Sequence, residues 1–515
     1  MVRIGIAAAM VLAPALLGGC VSSDALYEDV RASRTAAYRQ WQHDRQTEQA
    51  SETRLSGKLT LQDGLKLALA NNKQLLATVQ DKAAARGGVV ESYSAVLPAV
   101  TASGGYTRLD SVSSFSVGGT SVSLGQVNNY SVDLAVSQPL FRGGAITGQL
   151  RSAQLALCLS DEGVRAQVQQ TIYDVARAYY DTLLAQQLFT VNEEAVKSAE
   201  AHLADVTRKR AQGVASEYDV LRAQVDVSNF RAEMIQQRNR IHLAKTSLLK
   251  AMGVSQDSVV ELSDDLVYAS MKPVLEEAVR LAHENRPDLY QAELGVRLQR
   301  EALRITRSRY WPSVDATFTQ QWTRPDPHDS MLDAWGGAWS GGVVARWTLF
   351  DGLAREGAVI RDKAVLKRRN IELLDAQERA LLEVQQAVLS LRDAEEFVES
   401  QRLNLQRAQE GLRLSEVGYR EGVNTEVEVT DARSALTRAR ALHYQTLYDH
   451  NLARLNLQRA MGILGPKPGA TVVPAEPPAR PSRIDEFEVP AAPPEEPKTP
   501  PGDGVVPGEP QGATP

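Results

Sequence analysis

The chain has 515 residues, a net charge of -6 and only 6% aromatic residues. Because acidic residues slightly outnumber basic ones, the composition lacks the basic footprint of nucleic-acid-binding proteins, and no nucleic-acid partner is expected. Two cysteines are too few for a disulfide framework. The low aromatic content, with abundant helix-forming residues, favours long helices over a large globular core.

The first twenty residues, MVRIGIAAAMVLAPALLGGC, predict export from the cytoplasm. The apolar run from Ile4 to Leu17 is too short to span a membrane and suits a signal peptide over residues 1–19. The small residues before Cys20 resemble the processing site of bacterial lipoproteins, in which that cysteine is acylated. This resemblance implies a lipid-anchored segment over 20–57, held by outer-membrane lipid. A plain signal peptide followed by an incidental cysteine is the alternative.

Two copies of one unit make up most of the chain. LQDGLKLALANNKQLL from Leu61 matches LEEAVRLAHENRPDLY from Leu275, at an offset of 214 residues. After a single five-residue gap the offset becomes 209 and stays there for more than a hundred residues. Such self-similarity indicates a duplication. We therefore predict a first repeat over 58–265 and a second over 266–464.

Each repeat predicts a long helical hairpin, over 145–252 in the first and 353–461 in the second. No proline interrupts 140–272 or 328–465, so the strongest helix breaker is missing from both stretches. Apolar residues recur there at spacings of three and four, as in coiled coils. These stripes are Val164, Val168, Ile172, Val175 and Tyr179 in the first repeat, and Leu381, Val384, Val388 and Leu391 in the second. At about 1.5 Å per residue the first helix would be roughly 95 to 100 Å long and would need neighbouring hairpins to cover its apolar faces. Cys158, on this helix, is expected to be a small buried hydrophobe.

Each repeat also predicts two strands, at about 99–108 and 129–139 in the first and at about 313–324 and 339–350 in the second. Apolar and polar side chains alternate along them, which is the period of a strand with one apolar face. Aromatic residues fall near the strand ends, as at the membrane interface of β-barrels. They are Tyr106, Tyr130, Trp322, Trp339 and Trp347. Two surface hairpins of a soluble protein are the alternative.

Four strands in one chain cannot close a membrane barrel. Open sheet edges are not tolerated in hydrocarbon, and closed bacterial barrels begin at about eight strands. Several chains must therefore share one barrel, and two, three or four copies would give about 8, 12 or 16 strands. The residues by themselves do not choose among these numbers.

The turn between the two helices of each hairpin repeats one pattern: a glycine, a hydroxyl residue three positions later and an acid three positions beyond. The first set is Gly213, Ser216 and Asp219, and the second is Gly422, Thr425 and Glu428. A glycine can adopt the left-handed conformation that ends a helix. The hydroxyl and the acid have the spacing of a capping box, which starts the next helix. Both sites therefore predict helix, tight turn and helix.

Together these features resemble the TolC-like outer-membrane factor family, also called outer membrane efflux proteins, over roughly residues 58–464. The most specific pieces are QPLFRGG from Gln138, TLFDG from Thr348 and the two turns. The resemblance implies a mainly α protein with a small β part. Three chains, a homotrimer, would form a 12-stranded outer-membrane β-barrel continued by a periplasmic α-barrel. It would be the passive export conduit of a tripartite efflux or type I secretion system, opened by a periplasmic adaptor (membrane fusion protein) and an inner-membrane pump.

The resemblance also assigns roles to residues at the turns. The adaptor would contact two tips, formed by Gly213, Val214, Ala215 and Ser216 and by Gly422, Val423, Asn424 and Thr425. The pore gate would consist of Val427, Glu428 and Asp431, with the two acids favouring cations. A hydrogen bond between Asp219 and Tyr419 would clamp the closed state. The second clamp of the family is doubtful here, because its threonine and arginine are replaced by Tyr218 and Asn424. A helix-capping role for Glu428 and a solvated surface position for Asp431 are the alternatives.

No motif for catalysis, nucleotide binding or zinc binding occurs in the sequence, so neither enzymatic activity nor a cofactor is expected. His443 and His450 lie seven residues apart, a spacing that more often reflects packing than a metal site. Fifteen of the last 50 residues are proline, which predicts a disordered tail over 465–515. A lipid-anchored coiled-coil protein of the cell envelope, without a pore, is the alternative function.

Overall fold

The computed structural model of the protein describes residues 23–48, 56–117 and 120–468. The predicted signal peptide, Cys20 and the part of the proline-rich tail beyond residue 468 lie outside the described residues. The first described element is helix α1, Ser23–Glu48, with 26 residues.

The two repeats contain matching elements in the same order. The first repeat consists of β1 (Ser56–Leu59), α2 (Leu61–Asn71), α3 (Lys73–Ser92), β2 (Ala99–Arg108), β3 (Ser113–Val117), β4 (Thr120–Leu124), β5 (Asn128–Phe141), α4 (Ala145–Ala211) and α5 (Glu217–Met252). Strand β6 (Val259–Leu262) ends the first repeat, and the second consists of α6 (Leu275–Asn285), α7 (Pro287–Ser308), β7 (Ser313–Arg324), β8 (Gly336–Arg346), α8 (Ala354–Arg420) and α9 (Glu426–Ala460).

The helical hairpins are built around α4 and α8, each of 67 residues and so about 100 Å long. Their predicted apolar stripes are mostly buried, with Val175 and Leu391 both 0% exposed. Two expectations are wrong. Leu381 is 40% exposed, because it lies at the border of the packed face of α8 and not at its centre. Cys158 is an exposed thiol, because it lines an open groove beside Val296 and Arg300 of α7.

The four long helices pack side by side. Helix α4 contacts both α5 and α9, and α9 also contacts α8, which leaves α5 and α8 at the outer edges. The largest core cluster lies midway along α4, where Val175, Tyr179 and Leu183 meet residues of α5 and α9. There the hydroxyl of Tyr179 donates to the carbonyl oxygen of Leu59 in β1, at 3.0 Å. None of the described helices is both long and apolar enough to cross a membrane.

The main sheet has the order β2-β5-β7-β8, with all neighbours antiparallel. A bulge between Pro139 and Phe141 interrupts the pairing of β5 with β7. Strand β8 ends at Arg346, four residues before the predicted end at 350. Its last partner is Ser313, and the preceding Pro312 has no N–H group to continue the ladder.

The register separates an apolar face of the sheet from a polar one. On one face Leu134, Gln320 and Trp339 form a row across β5, β7 and β8, and Val136 lies beside Phe318. The opposite face carries small and polar residues in matching rows. Three of these rows are Ser131 with Thr323, Asp133 with Gln321 with Ala338, and Ser137 with Thr317 with Gly342. This alternation is the pattern that the sequence predicts for a sheet between an apolar and an aqueous medium.

Two small sheets were not predicted. Strands β3 and β4 form an antiparallel hairpin within the connection between β2 and β5. Strands β1 and β6 pair in parallel, from Ser56 with Val259 to Leu59 with Leu262. The β1–β6 pair joins the two ends of the first repeat, because β1 precedes α2 and β6 follows the first hairpin.

Candidate functional site

The first tip is the turn between α4 and α5. Gly213 has a φ of +75°, the left-handed conformation that suits glycine, and the amide of Val214 donates to the carbonyl of Lys209 at 2.9 Å. A capping box follows: Ser216 Oγ accepts from the amide of Asp219 at 3.2 Å, and the Asp219 carboxylate accepts from the Ser216 amide at 2.8 Å. The helix stop and restart that the sequence predicts are therefore both confirmed.

The second tip, between α8 and α9, repeats this geometry. Gly422 has a φ of +77°, and the amide of Val423 donates to the carbonyl of Gly418 at 2.8 Å. Thr425 Oγ1 accepts from the amide of Glu428 at 3.4 Å, while the Glu428 carboxylate accepts from the Thr425 amide at 3.1 Å. The two tips thus end in the same hydrogen-bonded turn.

The tips present small and apolar surfaces. Val214 is 73% exposed and Val423 is 79% exposed. Ala215 and Asn424 are half-buried, and Asn424 packs against Gly418, where an added Cβ would meet the Asn424 side chain at 2.7 Å. Exposed valines at the end of a polar hairpin form a surface suited to contact with another protein.

The residues predicted for the gate occupy one side of the first turns of α9. Val427 is 41% exposed, and Glu428 and Asp431 are also exposed. The neighbouring Val429 and Thr430 point into the hairpin and are buried. In one protomer Glu428 caps its own helix, and Asp431 lies 3.9 Å from Arg222 of α5. Their role in a pore stays a prediction.

The predicted clamp residues are near each other but interact mainly with other groups. The Asp219 carboxylate accepts from both the amide and the hydroxyl of Ser216, at 2.8 and 2.7 Å. The Tyr419 ring lies under the ammonium group of Lys209, 3.6 Å from the ring centre. Burial and the nearby Glu426 carboxylate raise the pKa of Tyr419 to about 12, with Asp219 contributing less. The clamp between Asp219 and Tyr419 stays a prediction.

Sequence reasoning missed the contact that joins the two hairpins at the tips. His202 Nε2 of α4 bonds to Glu426 Oε1, the first residue of α9. Both side chains are nearly buried, at 8% and 11% exposed. On the other side of His202, burial raises the pKa of Asp226 in α5, while Arg222 and His202 oppose that rise. The sequence gives little signal for this contact: His202 lies about three helical turns before Gly213, and Glu426 lies about one turn after Gly422. Many helices carry a histidine or a glutamate at such positions.

No group of histidine, cysteine, aspartate and glutamate residues in the described part of the chain has the arrangement of a metal site. His450 is 0% exposed and packs against the ring of Tyr268, with 4.8 Å between ring centres. The tips present exposed valines, the carboxylates of Asp219 and Glu428, and two glycine turns.

Long paired hairpins, a two-faced sheet and twin capped turns define an outer-membrane efflux channel subunit. The sequence matches the family described as outer membrane efflux protein over residues 64–254 and 278–463. The chain belongs to this family, whose members are TolC-like channels of the outer membrane rather than enzymes. Membership supports the export channel and not the pore-free envelope protein.

Individual relatives agree with this assignment. The chain is 26% identical over 410 residues to the probable efflux pump outer membrane protein TtgC of Pseudomonas putida, covering 78% of this chain and 82% of the relative. It is 21% identical over 417 residues to the outer membrane protein TolC of Escherichia coli, covering 76% and 80%. The crystal structure of the outer membrane protein VceC from Vibrio cholerae has the same fold, with a TM-score of 0.69 at 16% identity, covering 78% of this chain and 96% of that chain.

Proposed function

We propose that three copies of this chain form the outer-membrane conduit of a tripartite export system. Their sheets would close a 12-stranded barrel, and their helical hairpins would continue it as a tunnel into the periplasm. The conduit has no chemistry of its own and opens when a periplasmic adaptor and an inner-membrane pump engage the tips. The observation that carries this proposal is the four-stranded sheet with an apolar face, a polar face and two unpaired edges, β2 and β8.

The edges of the sheet support assembly with identical copies. Unpaired strand edges in a bilayer leave N–H and C=O groups without hydrogen-bond partners, and each such group is unfavourable by several kcal/mol. Pairing β8 of one copy with β2 of the next would satisfy them and close the barrel. The apolar face, with Trp339 at 73% and Val343 at 66% exposure, would then meet lipid.

The outer helices support the same assembly. Exposed apolar residues recur along the length of α8, and each is 41–60% exposed. They are Ile371, Leu374, Leu382, Leu389, Phe397, Leu403 and Leu414. A second stripe on α5 consists of Leu221, Val225, Ile235 and Leu243, at 52–65% exposure. An α5 stripe packed on the α8 stripe of the next copy would bury both, as in a coiled coil.

The tips supply the contact and the gate. Val214 and Val423 would receive the adaptor. Val427, Glu428 and Asp431 would face the narrow end of the tunnel, where three copies bring six carboxylates together. Such a ring favours cations over anions.

The direct test is to reconstitute the full processed chain in planar bilayers. We expect discrete conductance steps with a preference for cations, from particles with the mass of three chains. Absence of conductance from the wild type and from every variant with an altered tip would refute the channel.

Acylation of Cys20 would hold the N-terminal segment to the membrane by about 0.8 kcal/mol for each buried CH₂ group. Cys20→Ser is expected to abolish incorporation of labelled palmitate and to leave trimer formation unchanged. Continued labelling of the serine variant would contradict this anchor.

A further inference from the structure

We propose that the contact between two copies of this chain has the backbone arrangement of the contact between the two repeats inside one chain. Inside the chain β5 pairs with β7 and α4 packs on α7, which is called the repeat interface below. The matching contact, called the subunit interface, joins β8 and α8 of one copy to β2 and α3 of the next. The proposal rests on the assembly proposed above and goes beyond it by naming the residues in contact.

The duplication is accurate enough for contacts to be transferred from one repeat to the other. Ala99 pairs with Ser137 in the first repeat, and Ser313 pairs with Arg346 in the second. These partners are related by the offsets of the sequence, 214 residues for the first strand and 209 residues for the second. The five-residue gap therefore lies in the connection between β2 and β5, and the four strands of the main sheet are in register.

The repeat interface then determines the register of the subunit interface. Within the chain Leu134 pairs with Gln320, and the two offsets convert this pair into Val343 of one copy and Tyr106 of the next. Both Val343 and Tyr106 lie on the apolar face that carries Leu134. The transferred register therefore keeps apolar side chains together, whereas a slip of one residue would place them on opposite faces.

Two glycines near the start of α4 allow a close approach at the repeat interface. A Cβ at Gly143 would lie 2.5 Å from the carbonyl oxygen of Ser308 and 2.7 Å from Trp311 Cβ. A Cβ at Gly148 would lie 2.7 Å from Ile305 Cγ1 of α7. Both distances are far below normal contact between heavy atoms, so only glycine fits at these two positions.

The second repeat has the same two glycines, Gly352 and Gly357, although its own copy does not require them for space. A Cβ at either position would meet no other described part of the chain within 4 Å. Gly357 lies inside α8, where glycine is less favourable than alanine by about 1 kcal/mol. By the offset of 214 residues, their neighbours are Glu91, Ser94 and Leu97 of the next copy, and all three are exposed in one copy.

The helices beside the sheet leave room for this contact. Helix α4 packs on α3 and α7, and α7 also packs on α8, so α3 and α8 end the row just as β2 and β8 end the sheet. Gly87 of α3 is exposed and corresponds to Glu301 of α7. The carbonyl oxygen of Glu301 lies 3.7 Å from the Cβ position of Gly148. The same relation brings Gly87 of the next copy close to Gly357, and glycine at both positions permits it.

Cysteine pairs in the full chain test the register. In a Cys158→Ser background, Val343→Cys with Tyr106→Cys should give disulfide-linked dimers and trimers on oxidation, since directly opposed residues lie about 4.5–5.5 Å apart. The two positions are on opposite edges of one sheet, so the bond must join copies. Val343→Cys with Arg108→Cys is the matched control, because a shift of two residues adds about 7 Å along the strand and prevents the bond.

Gly357→Ala tests the close contact between helices. It should raise the protein concentration at which trimers dissociate by about tenfold or more, because the added methyl group overpacks the subunit interface, and it should leave the helical signal intact. Gly411→Ala is the matched control in the same helix. A Cβ at Gly411 also meets no other described part of the chain within 4 Å, and the first repeat has the larger His202 at this position. Its trimers should dissociate as wild type does.

The results separate this proposal from the channel function. Trimers in which the Tyr106 pair fails to crosslink, in which the Arg108 pair crosslinks instead, or in which Gly357→Ala dissociates as wild type does, would overturn the transferred contacts and leave the assembly standing. Particles with the mass of one chain, without a crosslink from either pair, would refute the assembly itself and this proposal with it.

Discussion

Replacing Phe397 by alanine should weaken the trimer without unfolding the chain. Phe397 lies in the apolar stripe of α8 and is 60% exposed in one protomer. An aromatic side chain has about 200 Å² of surface, so roughly 120 Å² of Phe397 is exposed in one protomer and can be buried at each interface between copies. At about 25 cal/mol per Å² this burial contributes up to about 3 kcal/mol per interface, and three interfaces close a trimer.

The next residue provides the control. Val398 is 5% exposed and belongs to the core cluster that contains Tyr179, so it faces the interior of its own protomer. Val398→Ala should lower the free energy of unfolding by about 2 kcal/mol, from lost burial and the cavity left behind. Its effect on the association of folded chains should be small.

Native mass spectrometry from detergent, over a range of protein concentrations, measures the association of the chains. Thermal unfolding followed by circular dichroism measures the stability of the fold, so the two methods together separate the effects of Phe397→Ala and Val398→Ala. Phe397→Ala should dissociate at a higher protein concentration than wild type and keep its helical signal. If Phe397→Ala trimers persist to the same dilution as wild type, or if Val398→Ala dissociates more readily, then the α8 stripe is not an interface between copies.

Three further predictions concern the tips. The double variant Glu428→Gln, Asp431→Asn should reduce the cation preference severalfold at about 0.15 M salt. It should have little effect at about 1 M salt, because the screening length there is about 3 Å instead of about 8 Å. An unchanged reversal potential would exclude these carboxylates from the pore. Gly422→Ala should destabilise its turn by about 1–2 kcal/mol, because the φ of +77° strains a Cβ even though the surrounding space is open. Asparagine should be tolerated better there, and equal amide exchange in both variants would contradict the strain. The hydroxyl and amide of Ser216 hold the pKa of Asp219 below its ordinary value of 3.8, so its stabilisation of the first tip is complete above that pH and is lost as the pH falls through the lowered pKa. Hydrogen exchange of the tip from about pH 5 down to about pH 2 should show this loss in wild type but not in Asp219→Asn.

The elements that local chemistry determines could be predicted from the sequence. The long hairpins follow from the lack of proline, and both turns follow from Gly213 and Gly422 with their capping boxes, because each signal acts within a few residues. The strands of the main sheet follow from their alternation. The end of β8 was placed too late, since it depends on Pro312 in a neighbouring strand rather than on the apolar residues that continue to 350.

Features that depend on packing between distant segments could not be predicted in this way. Strands β1 and β6 are only four residues each, and their pairing joins segments about two hundred residues apart. Leu381 fits the α8 stripe by spacing and Cys158 stands among apolar residues, but long helices that pack on several neighbours carry apolar residues on more than one face. The contact between His202 and Glu426 could not be predicted for the same reason, since burial of a histidine is a property of the assembled hairpins.

Helix α1 determines how far an acylated Cys20 can lie from the rest of the chain. Leu59 is fixed to Tyr179, which lies 34 residues, or about 51 Å, along α4 from its start beside the sheet. The seven residues between α1 and β1 span at most about 25 Å, so they cannot cover that distance alone. The 26 residues of α1 add about 39 Å, so that α1 and this segment together reach at most about 64 Å, enough to bring Cys20 to the level of the sheet if it is acylated as proposed. Shortening α1 by five turns would leave the lipid out of reach, and the chain would have to give up either its anchor or the β1–β6 pair.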